Sequence, residues 1–127
     1  MTVTVLIVDD SKLARIVAAK NIHALQPEWE RIEASNADEA LAVLDSRKIE
    51  VAVLDYNMPG RNGVELAEEL RRRFPAIAVA VATANVQDEV IAGIRAAGAA
   101  VVPKPVTEEG IRGFLSGAAL KQRVAGS

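Results

Sequence analysis

The sequence contains no cysteine, which excludes several kinds of site at once. A chain without cysteine forms no disulfide framework, no cysteine-ligated zinc or iron–sulfur site and no thiol nucleophile. Histidine is nearly absent as well, because His23 is the only one. With no second histidine to share a metal ion, His23 is interpreted as a residue of the surface or of a helix end.

Aromatic residues are also few, since the 127 residues include one Trp, one Tyr and two Phe. About half of the chain is nevertheless apolar, so the core of one domain must be built mainly from Ala, Val, Leu and Ile. Trp29 stands among Pro27, Glu28 and Glu30, and we interpret it as a packing residue of a loop.

Positive and negative residues are nearly balanced, since the chain has 15 Lys and Arg and 17 Asp and Glu, for a net charge of −2. Nucleic-acid-binding domains normally carry a basic surface, so direct binding of nucleic acid is not expected. The one basic run, Arg71 to Arg73, lies where the third helix is predicted to end. Cations at that position interact favourably with the helix dipole.

Long hydrophobic runs are missing too. The N-terminal segment has no basic region and meets an acidic residue at Asp9, so it does not resemble a signal peptide. The longest apolar stretches, residues 76–82 and 96–102, fall far short of the ~20 residues that cross a bilayer. We therefore expect a soluble, cytoplasmic protein that does not insert into membranes.

What the sequence does contain is a regular alternation of strand and helix patterns. Predicted strands cover residues 3–8, 31–35, 51–54, 77–82 and 99–102. The first, third and fourth are apolar throughout, as in strands covered on both faces of a parallel sheet. The i, i+3, i+4, i+7 spacing of an apolar helix face occurs twice, at Ala37, Ala40, Leu41 and Leu44 and at Ile111, Phe114, Leu115 and Ala118.

Several residues predict where helices begin and end. Asn36 and Glu39 predict a capping box at the start of the second helix, and Phe74-Pro75 and Gly98 predict the ends of the third and fourth. The alternation predicts an α/β fold, a (βα)₅ unit with one doubly wound, parallel, five-stranded sheet. We assign residues 1–120 to this domain and 121–127 to a C-terminal tail, because the apolar period is lost there.

Residues with chemical potential follow the predicted strands. Asp9 and Asp10 follow the first, Asp55 the third, Thr83 the fourth and Lys104 the fifth. Ligands of open α/β sheets bind at the carboxyl ends of the strands. We therefore expect three carboxylates, one hydroxyl and one ammonium at the same edge.

A cluster of three carboxylates has a physical requirement. Two unit charges about 4 Å apart repel by roughly 4 kcal/mol at an effective dielectric of about 20, so the cluster favours a multivalent cation or raised pKa values. A hard dication held by few protein oxygens is typical of Mg²⁺. With Lys104 and Thr83, such an ion would stabilise a transferring phosphoryl group. Asp55 is the candidate acceptor, because aspartate forms acyl phosphates.

Four motifs together resemble the receiver domain of two-component response regulators, in particular the chemotaxis-regulator type. They are VLIVDDS at 5–11, VLDYNMPG at 53–60, VAT at 81–83 and KP at 104–105. The resemblance runs from about Val3 to Ala118. It implies a flavodoxin-like sheet with strand order 2-1-3-4-5.

The resemblance also implies a role for each acidic residue. Asp55 matches the phosphoacceptor, and Asp9 and Asp10 match the acidic pair that holds Mg²⁺, for which Mn²⁺ can substitute. Asp55 and the main-chain carbonyl of Asn57 would complete the protein ligands.

Further positions match residues that act around the phosphoryl group. Lys104 matches the lysine that pairs with the phosphoryl oxygens, and its bond to Pro105 is expected to be cis. Thr83 matches the hydroxyl that moves to bind the phosphoryl group.

Modulating positions lie in the turns beside these residues. Asn57 and Asn85 match the two positions that flank the path of the attacking water, and Met58 belongs to the same turn as Asn57. Because neither amide is a strong base, we predict slow to moderate loss of the phosphoryl group.

One position departs from the family pattern. Three residues before the lysine, receivers usually place a Tyr or Phe that swings inward, and this chain has Val101. Val101 takes no part in the chemistry, so phosphorylation is still expected, but the route by which it is transmitted to the face of the fourth helix, fifth strand and fifth helix must differ. Because residues 93–100 are rich in Gly and Ala, we expect the fourth helix to shift as a whole.

The implied phosphoryl donor is a phosphohistidine on a sensor histidine kinase or phosphotransfer protein. The implied output partner is unidentified and binds the face of the fourth helix, fifth strand and fifth helix. The start at Met1 and the lack of an output domain favour a stand-alone regulator, with a receiver excised from a larger regulator as the alternative. Such a domain is not an enzyme, since it catalyses only its own phosphorylation and dephosphorylation.

Other interpretations remain open at this point. A Mg²⁺-dependent phosphohydrolase of the haloacid-dehalogenase type would use Asp55 as nucleophile. Such enzymes have an Asp as general acid two residues after the nucleophile, where this chain has Asn57, and they also have a cap domain that a chain of this length cannot supply. Val101 leaves room for a binding module that works without phosphorylation. Asp9 and Asp10, considered alone, would be interpreted as a helix N-cap, and Ser11 is another candidate for that cap. Tyr56 could guard the site or cover its edge.

Overall fold

The computed structural model describes residues 3–126. Five strands and five helices alternate along this part of the chain: β1 Thr4–Val8, α1 Lys12–Leu25, β2 Glu30–Ala34, α2 Ala37–Ser46, β3 Val51–Asp55, α3 Gly63–Arg73, β4 Ala78–Thr83, α4 Asp88–Ala96, β5 Ala100–Pro103 and α5 Glu108–Gly126.

The strands form one parallel sheet in the order β2-β1-β3-β4-β5, which confirms the predicted fold class and strand order. The register brings the carboxyl ends of the central strands together, since Val8 pairs with Leu54 and Asp55 with Ala82. The residues that follow β1, β3 and β4 therefore meet at one edge of the sheet.

Both faces of the sheet are covered, which explains the uninterrupted apolar runs. One core layer packs α2, α3 and α4 against one face, with Leu6, Leu66 and Ile94 fully buried. The other packs α1 and α5 against the opposite face and includes Ile22 and Ile111.

Trp29 belongs to the layer beneath α1 and α5 and is 8% exposed, as expected of a packing residue. The two predicted helix stripes also face the core. Ala37, Ala40 and Leu44 are buried, and so are Ile111, Leu115 and Ala118, while Leu41 and Phe114 are half-buried.

Side-chain caps fix several helix starts. Asn36 caps α2 by accepting from the main-chain N–H of Glu39, but the Glu39 carboxylate accepts from Ser35 rather than from Asn36. The predicted capping box is therefore incomplete, because its second hydrogen bond comes from the residue before the N-cap. A complete capping box instead begins α3, between Asn62 and Glu65.

The predicted helix ends are confirmed. α3 ends at Arg73 with Phe74 as its C-cap, and α4 ends two residues before Gly98, whose φ of 83° favours glycine. α5 extends to Gly126, so 121–126 continue a helix where the sequence predicted a tail, and Ser127 lies outside the described residues. Lys121, Gln122 and Arg123 favour helix on their own, which lets the helix outlast its apolar stripe.

Within residues 3–126, no helix is both long and apolar enough to span a bilayer.

Candidate phosphoacceptor site

The sheet positions each of the chemically active residues at the carboxyl edge. Asp55 is the last residue of β3 and Thr83 the last of β4, while Asp9 follows β1 and Lys104 follows β5. Asp9, Asp55 and Thr83 are buried, at 6%, 5% and 1% exposure. Asp10, one residue further on, is exposed, and one of its carboxylate oxygens lies near those of Asp9 and Asp55.

Lys104 connects the buried acids. Its Nζ lies 2.9 Å from Oδ2 of Asp9 and 2.9 Å from Oδ1 of Asp55. One ammonium thus offsets the repulsion between two carboxylates that arrive on different strands. The loop carrying it starts with a main-chain bond from the Lys104 N–H to the carbonyl of Thr83, 2.9 Å long.

The three carboxylates form a candidate metal site. Oxygens of Asp9, Asp10 and Asp55 all lie within 4.8 Å of one another. Clustered carboxylate oxygens, one of them on an exposed residue, are the donor set that Mg²⁺ takes while keeping several waters. The residues present therefore fit this ion.

Burial and charge act in opposite directions at this site. Burial raises the pKa of Asp55, the nearby Asp9 raises it further, and the hydrogen bond from Lys104 offsets part of the increase. Burial disfavours the ammonium of Lys104, but the hydrogen bonds to Asp9 and Asp55 outweigh that effect and raise the pKa of Lys104. Lys104 is therefore a permanently charged group at neutral pH.

The turn after β3 surrounds the Asp55 side chain. The main-chain N–H of exposed Asn57 points at Asp55 Oδ1 across 3.4 Å. Tyr56 is half-buried and packs against the core layer beneath α2, α3 and α4. Met58 is 8% exposed and lies within the same layer.

The turn after β4 holds the Thr83 hydroxyl. Its Oγ1 accepts from the main-chain N–H of Asn85 at 3.0 Å and donates to the Asn85 carbonyl at 3.3 Å. The side chain of Asn85 in turn accepts from the N–H of Gln87. Asn85 is exposed, so its amide stands at the rim of the site.

Val101 lies on β5, opposite Val81 in the register, and is half-buried. It packs against the core layer that α4 covers. The bond between Lys104 and Pro105 is cis, as expected.

Two residues that support the site were not predicted from the sequence. Arg15 of α1 donates to the main-chain carbonyl of Asp9 at 2.7 Å and forms an ion pair with Glu33 of β2. Asn21, six residues later in α1, donates to the carbonyl of Val106 in the loop after β5. Neither residue stands out by spacing, since both are single polar residues of an amphipathic helix.

The remaining singled-out residues have structural roles. Arg71 donates to the carbonyls of Pro75 and Ile77, and Arg73 pairs with Glu69 and Asp45. Two of the three arginines in the basic run therefore bond to other groups of the protein. His23 is exposed in the last turn of α1, as expected, with a nitrogen of Arg31 3.0 Å from its ring.

An apolar cavity of about 360 Å³ adjoins the carboxylates. It extends from Asp55 and Lys104 beneath α1, where Ala14, Val17 and Val106 line it.

The comparisons with known proteins agree with this geometry. The family model described as "Response regulator receiver domain" matches residues 5–115. A solved structure of the chemotaxis response regulator CheY4 of Vibrio cholerae is similar with a TM-score of 0.81 and 25% identity, covering 93% of this chain and 99% of that one. A response regulator from Thermotoga maritima is similar with a TM-score of 0.79 and 27% identity, over 91% and 99% of the two chains.

Curated relatives are longer than this chain. It is 34% identical over 122 residues to the positive alginate biosynthesis regulatory protein of Pseudomonas aeruginosa, which covers 94% of this chain and 48% of that protein. It is 34% identical over 96 residues to the hydrogenase transcriptional regulatory protein HoxA of Cupriavidus necator, which covers 75% of this chain and 19% of that one. The chain thus spans half the length of these relatives or less.

Proposed function

The chain belongs to the family of response regulator receiver domains, and on that premise we propose that Asp55 accepts a phosphoryl group in a Mg²⁺-dependent reaction. The donor is a phosphohistidine of a sensor histidine kinase or phosphotransfer protein. The chain then acts as a signalling domain whose only reactions are its own phosphorylation and dephosphorylation.

The observation that carries the proposal is the double contact of Lys104 with Asp9 and Asp55, each at 2.9 Å. A buried acid at the end of a central strand is unusual, because burial of a charge costs free energy unless the charge is paired. Here the acid is paired, and it also lies beside two further carboxylates. The ammonium of Lys104, together with a dication held by the carboxylates, would stabilise the negative charge of a transferring phosphoryl group.

The residues of the chain supply most of the reaction's requirements. A carboxylate oxygen of Asp55 attacks phosphorus and forms a P–O bond as the P–N bond to the donor imidazole breaks. The electron pair of the P–N bond stays on that nitrogen, and the ring leaves as neutral imidazole because its other nitrogen has taken a proton from water. Lys104 pairs with the charge of the transferred group, and Thr83 offers its hydroxyl once it leaves the carbonyl of Asn85. The ion would be held by Asp9, Asp10, Asp55 and the carbonyl of Asn57, and it would neutralise negative charge on the phosphoryl oxygens.

Intact-mass spectrometry tests this proposal. The chain is incubated with Mg²⁺ and acetyl phosphate, a small donor that bypasses the kinase, alongside Asp55→Asn and the matched control Asp45→Asn, which changes an exposed acid on α2. We expect one added phosphoryl group on the wild type and on the control. We expect none on Asp55→Asn and none with EDTA.

Two alternative functions give different results. A phosphohydrolase would turn over a chromogenic phosphate ester through many cycles, which we do not expect because Asn57 offers no acid at that position. A binding module that works without phosphorylation would show no adduct and no chemical-shift change with beryllofluoride. Fast hydrolysis would show no adduct but a clear beryllofluoride response.

For the output, we propose that α4 shifts as a unit when the phosphoryl group binds. Val101 is too small to act as the inward-swinging aromatic side chain of other receivers. Ile94 is the only residue of α4 that is buried, and Gln87 gives this helix no side-chain cap. Amide shifts that spread through α4 on addition of beryllofluoride are expected, and unchanged shifts there would contradict the idea.

The rate at which the phosphoryl group is hydrolysed depends on the side chains beside the path of the attacking water, which here are two amides. Asn57 and Asn85 are both exposed, and neither can deprotonate an attacking water. We expect slow to moderate loss of the phosphoryl group in the mass experiment. A half-life of seconds would contradict this expectation.

We further propose a stand-alone regulator in the cytoplasm, with a downstream protein binding the surface formed by α4, β5 and α5. The mass of the native polypeptide tests the first part. A mass near 13.5 kDa supports it, and a larger one indicates a receiver within a longer regulator, as in the curated relatives. Cell fractionation tests the location.

A further inference from the structure

The loop that carries Lys104 has few of its own main-chain donors. Pro103 and Pro105 flank the lysine, and proline has no N–H. The N–H of Lys104 itself is used by the carbonyl of Thr83, 2.9 Å away. The orientation of the lysine therefore depends strongly on contacts that other elements make with this loop.

Asn21 of α1 makes such a contact. Its Nδ2 donates to the carbonyl of Val106 at 3.0 Å, two residues after Lys104, and to the carbonyl of Val17 in its own helix at 2.8 Å. Both amide hydrogens are thereby used, and the bond to Val17 orients the group toward the loop. Val106 is buried at 6% exposure, so its carbonyl needs a partner from the protein.

The amide is an unfavourable choice for the helix alone. Asn21 lies inside α1 and is half-buried, where Leu or Ala would favour helix more strongly. Its value must come from the bond across to the loop, which is 85 residues distant in sequence. The loop is thus secured at Lys104 by the bond from its own N–H to Thr83, and two residues later by the bond from Asn21 to Val106.

We infer that Asn21 is a positioning residue for the phosphoryl-transfer reaction, acting through Lys104. By holding the Val106 carbonyl it keeps the ammonium between Asp9 and Asp55. This inference rests on the proposed function, because positioning matters only if Lys104 pairs with the transferred group.

The first test compares initial rates of phosphorylation by acetyl phosphate with Mg²⁺, measured by intact mass. Asn21→Leu keeps the helix and removes both donors, and we expect it to slow the reaction about fivefold, the factor that one neutral hydrogen bond is worth. Asn21→Asp preserves the size of the side chain and also removes both donors, so it gives the result if the apolar variant misfolds. Gln26→Leu, an amide-to-alkyl change in the residue after α1, serves as the matched control and should react at the wild-type rate.

A double-mutant cycle separates positioning from a purely structural role. In the Lys104→Ala background, Asn21→Leu should cause no further slowing, because its effect passes through the missing ammonium. Equal slowing in both backgrounds, or a wild-type rate for the single variants, would overturn the inference while leaving the proposed function intact. A wild-type chain that takes no phosphoryl group, and does not respond to beryllofluoride, would contradict the proposed function itself.

Discussion

At the scale of single residues, Gly63 sets how closely α3 can approach the phosphoacceptor. A Cβ at this position would overlap the main-chain carbonyl oxygen of Asp55. The first residue of α3 therefore lies directly against the strand end that carries the acid. A larger side chain must push the helix or the strand end away.

We expect Gly63→Ala to lower the free energy of unfolding by about 1–3 kcal/mol, as overpacking does, and to slow phosphorylation. Gly113→Ala is the matched control, because nothing lies within 4 Å of a Cβ there and alanine favours the helix. It should raise stability by about 0.5–1 kcal/mol. Urea unfolding measures both variants, and equal stability of Gly63→Ala and wild type would show that the backbone can yield at no cost.

The residues at strand ends were predictable from the sequence, and their supports were not. Asp9, Asp55 and Lys104 follow apolar runs, and the rule that parallel strands end at one edge brings them together. Arg15 and Asn21 contribute through bonds to main-chain carbonyls, which any polar residue of α1 could make. Only the packing of α1 against the sheet and the loop after β5 determines which ones do.

At the scale of elements, α4 is held to the rest of the protein by fewer contacts than α3. Its N-cap, Gln87, makes no side-chain capping bond in the described structure, and one of its nine residues is buried. α3 differs, since Asn62 and Glu65 form a complete capping box and four residues are buried. A helix with few anchors is suited to shift.

Gln87→Asn should therefore stabilise α4 by about 1 kcal/mol, because asparagine accepts from the first N–H groups of a helix. Hydrogen exchange of the α4 amides is the measurement, and slower exchange confined to that helix is expected. Asn62→Ala is the opposite control, and it should destabilise the protein by about 1 kcal/mol. Unchanged exchange in Gln87→Asn would show that tertiary contacts, not the cap, limit α4.

Helix boundaries show how far local rules extend. Phe74-Pro75 and Gly98 end their helices as predicted, since proline and a positive φ act locally. The capping box between Asn62 and Glu65 was not predicted, although its residue types and spacing are those of such a box. At α2 the Glu39 carboxylate accepts from the N–H of Ser35 instead of that of Asn36, a choice between neighbouring donors that residue spacing does not decide.

At the scale of the whole molecule, a charge network connects two helices and the turn beside the site. Glu69 of α3 pairs with Arg61 of the turn after β3 and with Arg73, which also pairs with Asp45 of α2. Hydrogen bonds from Arg73 and Arg61 lower the pKa of Glu69. A carboxyl whose pKa is lower in the folded state contributes stability that is present above its unfolded pKa and lost as the pH falls through its folded pKa.

Wild type should therefore unfold at higher urea than Glu69→Gln at pH 7, and the difference should shrink below about pH 4.5, the ordinary pKa of glutamic acid. Equilibrium unfolding at pH 7 and pH 3 measures it. Because these pairs are near the surface, high salt should also reduce the difference. A difference that persists at pH 3 would show that packing of Glu69, and not its charge, is responsible.

The overall architecture was the most predictable property. Apolar runs without alternation indicated a sheet buried on both faces, and the strand order followed from the resemblance of four motifs. The route of the proposed signal was not predictable in the same way, because Val101 stands where the resemblance implies a Tyr or Phe. The packing around α4, on which the proposed shift would depend, is not encoded by the spacing of residue types.

The central claim is that Asp55, and neither neighbouring carboxylate, receives the phosphoryl group. Borohydride reduction of the chain after reaction with Mg²⁺ and acetyl phosphate tests it most directly, because it converts an aspartyl phosphate to homoserine, which peptide mass mapping then locates. We predict homoserine at position 55 alone. Homoserine at Asp9 or Asp10, or an unmodified Asp55 in a chain that carries the phosphoryl group, would contradict the claim.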